Sequence, residues 1–151
     1  MSMPDIRLLV PHAGPMVLLD RVVSAEEESL CAEVRIRKDS LFCTVDGVGA
    51  WVGLEYMAQA ISAYAGYTAR LRGQPVKVGF LLGTRRYECN CPVFTAGALL
   101  RVHVRRVFHS ETGLASFECR IDDMQGQVAT ASLTVFQPAN ANDFLAGGRN
   151  E

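Results

Sequence analysis

The segment 29–37, SLCAEVRIR, sets Leu30, Ala32, Val34 and Ile36 against Cys31, Glu33, Arg35 and Arg37. That period of two is the mark of a half-buried antiparallel strand. The same reading gives strands over 16–24, 77–90, 98–108, 114–122 and 127–136, with Pro11-His12-Ala13-Gly14-Pro15, Gly73-Gln74-Pro75 and Met124-Gln125-Gly126 as turns between apolar runs. In the last strand Val128, Thr130, Ser132 and Thr134 oppose Ala129, Ala131, Leu133 and Val135. Residues 38–49 and the break CPVFTAG read as loops.

Residues 50–72 break the pattern and predict one long helix. Gly53, Ala58, Ala60, Ala63, Ala65, Gly66 and Ala69 make it apolar nearly all round, with space for other backbone to come close. Glu55 and Gln59 lie one turn apart inside it, which argues against a membrane span. The order of two strands, a buried helix and four more strands predicts an α+β fold: an antiparallel six-stranded sheet wrapped around one central helix. One domain over 1–137 and a flexible tail over 138–151 are expected. Strands so apolar on one face further predict a dimer in which one sheet continues the other.

Composition changes this picture little. The formal net charge is −1 with scattered Arg and Lys, so no basic field invites nucleic acid. The N-terminus, MSMPDIRLLVPHAG, does not read as a signal peptide, and the five cysteines form no CxxC pair. A cytoplasmic protein with reduced thiols, no metal and no cofactor is expected. Cys89 and Cys91 are placed on opposite faces of their strand, as an unpromising metal pair.

Glu55 is the candidate working group, as a carboxylate carried into an apolar helix. A buried, unpaired carboxylate is kept neutral, which suits a group that must give up a proton. The bland alternative is a structural ion pair with Arg85 or Arg86. Gln59 either orients Glu55 or is a satisfied core amide. His12 is either a turn histidine bonded to backbone or the base of the site. His103 and His109 read as surface residues.

Three motifs, in order, resemble the hot-dog 3-hydroxyacyl-carrier-protein dehydratases: VPHAGPMVLLDRV at 10–22, GLEYMAQA at 53–60, and GFLLGTRRYECNCPVFTAG at 79–97. PHAGPM and WVGLEYMAQA are similar to a divergent branch found with aryl polyene pigment synthesis. The resemblance implies a homodimer, or a heterodimer with a second hot-dog subunit, and an acyl-carrier-protein partner. The substrate would be a (3R)-3-hydroxyacyl thioester on a 4′-phosphopantetheine arm, of a carrier protein or coenzyme A. Glu55 matches the family's catalytic carboxylate. The family's second catalytic group, a histidine in the loop before the helix of the other subunit, has no counterpart in DSLFCTVDGVGA, residues 39–50. Asp46 is either an exposed turn residue or a carboxylate standing in that place. Gly49, Ala50 and Trp51 at the helix start, and Phe80, Leu82 and Gly83 on the following strand, are the implied substrate contacts. Arg85 or Arg86 would meet the phosphate of the arm. Two other readings stand beside a dehydratase: a non-catalytic partner subunit of a heteromeric dehydratase, and a hot-dog acyl thioesterase.

Overall fold

The computed structural model describes residues 3–75 and 80–137, apart from the side chains of Phe80 and Leu82. The tail over 138–151, expected to be flexible, lies outside the described residues, as does the start of the strand predicted from 77. In chain order the elements are β1 (Arg21–Ala25), β2 (Ser29–Arg35), β3 (Cys43–Thr44), β4 (Gly47–Gly49), α1 (Gly53–Leu71), β5 (Phe80–Cys89), β6 (Val93–Phe94), β7 (Leu99–His109), β8 (Leu114–Asp123) and β9 (Gly126–Phe136). Six strands form one antiparallel sheet in the order β1-β2-β7-β8-β9-β5, and α1 packs on β7, β2 and β8. A six-stranded sheet around one long helix is the architecture the pattern predicts.

The alternation determines which face does the packing. Leu30, Ala32 and Val34 of β2, Leu100, Val102 and Val104 of β7, and Ala129, Ala131 and Leu133 of β9 are all buried. They meet Tyr56, Met57, Ala60, Ile61, Ala63 and Tyr64 of α1. Each large apolar side chain so buried contributes about 1.5–3 kcal/mol. Gly66 is required where another chain segment crosses the helix, because a Cβ there would overlap the carbonyl of Leu9.

Both ends of α1 are fixed by backbone. Its first turn is a 3-10 turn over Ala50–Val52 rather than α-helix. The Ala50 N–H donates to the Pro92 carbonyl at 3.0 Å, and the Tyr87 hydroxyl donates to the Ala50 carbonyl. At the other end Gly73 takes the left-handed conformation (φ +67). Its N–H donates to Arg70 and that of Gln74 to Ala69, so the last carbonyls are satisfied.

Four expectations need correction. The first strand begins at Arg21, not at residue 16: Pro15 lies in a 3-10 turn over Gly14–Met16, and the backbone of Met16 and Leu18 bonds to a helix side chain instead of a strand. The loops over 38–49 and 91–97 contain a second, three-stranded sheet, β3-β4-β6, too short for a period to show. Cys89 and Cys91 do not face apart. Residues two apart on a strand share a face, and their sulfurs are 3.7 Å from each other. His103 is half-buried rather than on the surface, between Cys31 and Asp122. All five cysteines are free thiols.

Candidate active site

Glu55 sits in the first turn of α1, where the helix leaves its 3-10 entry. Its side chain is 44% exposed in the single chain, so the expectation of a buried carboxylate does not hold. No described arginine lies within ion-pair distance of it either, which removes the pairing with Arg85 or Arg86. Its neighbours are His12 and Gln59: His12 Nε2 is 3.6 Å from Glu55 Oε1, and Gln59 Nε2 donates to the same oxygen at 3.3 Å. The Nδ1 of His12 is buried and makes no hydrogen bond.

His12 arrives on an N-terminal arm laid across α1. Asp5 caps its opening 3-10 turn by accepting from the Arg7 N–H, and Ile6, Leu9 and Val10 are buried beneath it. The Leu9 carbonyl rests on Gly66. Gln59, fully buried, accepts from the Leu18 N–H at 2.9 Å and donates to the Met16 carbonyl at 2.7 Å. Pro11 to Pro15 form the bend between these two attachments.

A groove of about 310 Å³ opens from this pair. Its helix wall carries Glu55, Ala58, Ser62, Ala65, Ala69 and Arg72, so one strip of α1 faces it throughout. Arg72 lies seventeen positions beyond Glu55, a length of about 25 Å at the usual rise of about 1.5 Å per residue. The sheet wall offers Leu81, Ala115, Phe117 and Val135. Arg106 also lines the groove, its guanidinium 5.7 Å from the centre of the Tyr64 ring. The His12–Glu55 pair thus stands at one end of a groove lined along α1 largely by small residues.

The remaining sequence candidates lie elsewhere. Asp46 is exposed in the turn between β3 and β4 and is not among the groove's lining residues. Gly49, Ala50 and Trp51 surround the helix entry without lining the groove. Trp51 is 68% exposed, edge-on to Phe42 at 5.5 Å. Its indole lies so close over Gly49 that a Cβ there would overlap it. Gly83 is exposed on β5, and the side chains of Phe80 and Leu82 lie outside the described residues. Arg85 and Arg86 are both exposed beside a bulge in β5, away from the groove lining. The groove-facing strip at 58, 62, 65 and 69 is visible in the sequence as small residues spaced three and four apart from Glu55; the sheet wall is not. Among the described residues no cluster of three or more His, Cys, Asp or Glu could hold a metal ion. No helix among them is long and apolar enough to cross a membrane.

The family model described as ApeP-like, ApeP dehydratase, matches residues 4–146. The chain belongs to the ApeP dehydratase family. A chain of the dehydratase heterocomplex ApeI:P from Xenorhabdus doucetiae superposes on it with a TM-score of 0.90 at 30% identity, covering 99% of this chain and 100% of that one. AziG of S. sahachiroi is similar in fold only, with a TM-score of 0.61 at 15% identity over 78% of this chain and 90% of that one. A hypothetical thioesterase with coenzyme A from Streptococcus pneumoniae TIGR4 also has a TM-score of 0.61, at 12% identity over 78% and 84% of the two chains. The hot-dog fold is common to all of them. No curated protein matches the sequence. A histidine and a carboxylate are residue types that general acid–base catalysis uses.

Proposed function

We propose that this chain is one subunit of a heteromeric dehydratase that removes water from a 3-hydroxyacyl thioester carried on a phosphopantetheine arm, with Glu55 and His12 as its acid–base pair. The observation that carries the reading is the His12–Glu55 contact at the mouth of the groove, in a chain of the ApeP family. The second subunit is of the ApeI type, by analogy with the ApeI:P heterocomplex, and an acyl carrier protein delivers the substrate.

His12 Nε2 takes the α-proton, and the C–H electron pair becomes the new double bond. Glu55, protonated, gives its proton to the 3-hydroxyl as the C–O bond breaks. Water and a 2-enoyl thioester leave. The pair is then Glu55 carboxylate and His12 imidazolium, and loss of one proton from the imidazolium to solvent with uptake of one by the carboxylate restores it. The net proton count is unchanged. A histidine contributed by this chain's own arm fills the role for which the loop over 39–50 has none.

The experiment is mass spectrometry of 3-hydroxyacyl-carrier protein incubated with this chain, with and without an ApeI-type subunit. The expected product with both subunits is the enoyl thioester, lighter than the substrate by the mass of one water, and Glu55→Gln in this chain abolishes most of it. A free carrier thiol would instead mark a thioesterase. Undiminished turnover by a complex carrying both Glu55→Gln and His12→Ala would make this chain the non-catalytic subunit, a reading that the histidine-free loop favours.

A further inference from the structure

We propose that Gln59 is a positioning residue: its amide holds the N-terminal arm on α1 so that His12 stands against Glu55. The inference rests on the His12–Glu55 pair being the acid–base group. His12 is not located by its own bonds. Nε2 stands 3.6 Å from Glu55, beyond a good hydrogen bond, and Nδ1 bonds to nothing. A ring with so few contacts of its own is placed by the backbone that carries it.

That backbone is tied down on both sides. Three residues before His12, the Leu9 carbonyl sits on Gly66. Four residues after it, Met16 begins the stretch bonded to Gln59. Gln59 accepts from Leu18 N–H and donates to Met16 C=O, which are two residues apart, as a neighbouring strand would. Its contact with Glu55 is the longest of its three, at 3.3 Å against 2.7 and 2.9 Å. The amide therefore acts chiefly on the arm rather than on the carboxylate. Because Gln59 is fully buried, losing it would leave the part-buried Leu18 N–H and Met16 C=O without the protein partner that ties them to α1. The arm would lift at that attachment and carry His12 with it.

The test is a double-mutant cycle on this chain assembled with an ApeI-type subunit, using Gln59→Leu, His12→Ala and the two together. Gln59→Leu alone is expected to lower kcat by about 10-fold or more, with KM little changed, and His12→Ala by about 100-fold. In the His12→Ala background, Gln59→Leu should cost less than about 3-fold further, because the ring it positions is gone. The His12 ring signals in NMR should move in Gln59→Leu towards those of an exposed histidine. Equal losses from Gln59→Leu in both backgrounds, or an unmoved His12 signal, would overturn the proposal. A His12→Ala variant with full activity would remove the acid–base reading itself and the positioning role with it. Should Gln59→Leu fail to fold, Gln59→Glu serves. Protonated, it can accept from Leu18 and donate to Met16. Ionised beside Glu55 and His12, it cannot donate, so its activity relative to the parent should fall as pH rises. A pH-independent ratio would count against the proposal.

Discussion

His12 and His103 each meet a carboxylate through Nε2, His12 with Glu55 at 3.6 Å and His103 with Asp122 at 3.2 Å. The shorter contact is the less promising one. Asp122 also accepts from Arg120 Nε at 3.0 Å, so its charge is already engaged. Arg101 and Arg21 flank the site through Glu33. Cys31 lies 4.0 Å from the same Nε2 that faces Asp122. One nitrogen cannot both donate to the carboxylate and accept from the thiol, so Cys31, His103 and Asp122 do not form a nucleophile relay. Burial pushes the Cys31 thiol up as well, away from the thiolate. Glu55, by contrast, has no described Arg or Lys within ion-pair distance and opens on a groove. A carboxyl group beside a histidine is the better candidate when no arginine already engages it and it faces a cavity.

Substitutions can break that contrast. Glu55→Gln keeps volume and removes the ionisable proton, so turnover of the assembled complex should fall by about 100-fold or more. Its thermal unfolding should stay within the range of an ordinary partly exposed change, about 0.5 kcal/mol either way. A large loss of stability with normal specific activity would reverse the assignment. Gly66→Ala strikes the arm at its other attachment. The new methyl has to displace the Leu9 carbonyl, and overpacking of this kind costs about 1–3 kcal/mol, read as a lower melting temperature together with lower turnover. Unaltered melting and turnover would show that the arm moves freely there.

The smallest effect belongs to the outer face of the sheet. Asp122→Asn should leave turnover unchanged, and a loss comparable to that of Glu55→Gln would erase the distinction between the two histidines. His103 has its pKa lowered, first by burial and then by Arg120, with Asp122 pulling the other way. A depressed histidine favours the folded state while it is neutral. The unfolded chain takes up its proton first, near pH 6.5, so this contribution is present above that pH and is lost as pH falls below it. His103→Asn should flatten the acid side of the stability profile slightly; an identical slope in both proteins would refute the assignment of the proton to His103.

The sequence was most legible where the pattern is long. Leu30 to Ile36 and the residues of β9 alternate over enough positions to mark both the strand and its buried face, and Glu55 is conspicuous as a charge in an apolar helix. It was least legible where short or distant partners decide. Strands β3 and β6 have two residues each, which no period can reveal. The start of β1 is hidden from the pattern because Gln59, 41 residues on from Leu18, takes the backbone bond that a strand would have used. His12 belongs to the site through the same distant contact, so its place beside Glu55 is a property of packing and not of local spacing.

Strand β5 ends the main sheet opposite β1, and so presents a row of backbone donors and acceptors beyond the described sheet. Such a rim is a template for runaway strand addition whenever a chain is made in excess of its partner. Here the rim is interrupted. The register slips between Arg85 and Glu88, and Arg86 takes φ +50, a left-handed turn of the backbone that no flat ribbon can copy. Two adjacent guanidinium groups add repulsion between identical copies at that point. An incoming strand therefore meets an edge broken by register slips at Leu81/Gly83 and at Arg85/Glu88, which favours one short, bounded pairing over a fibre.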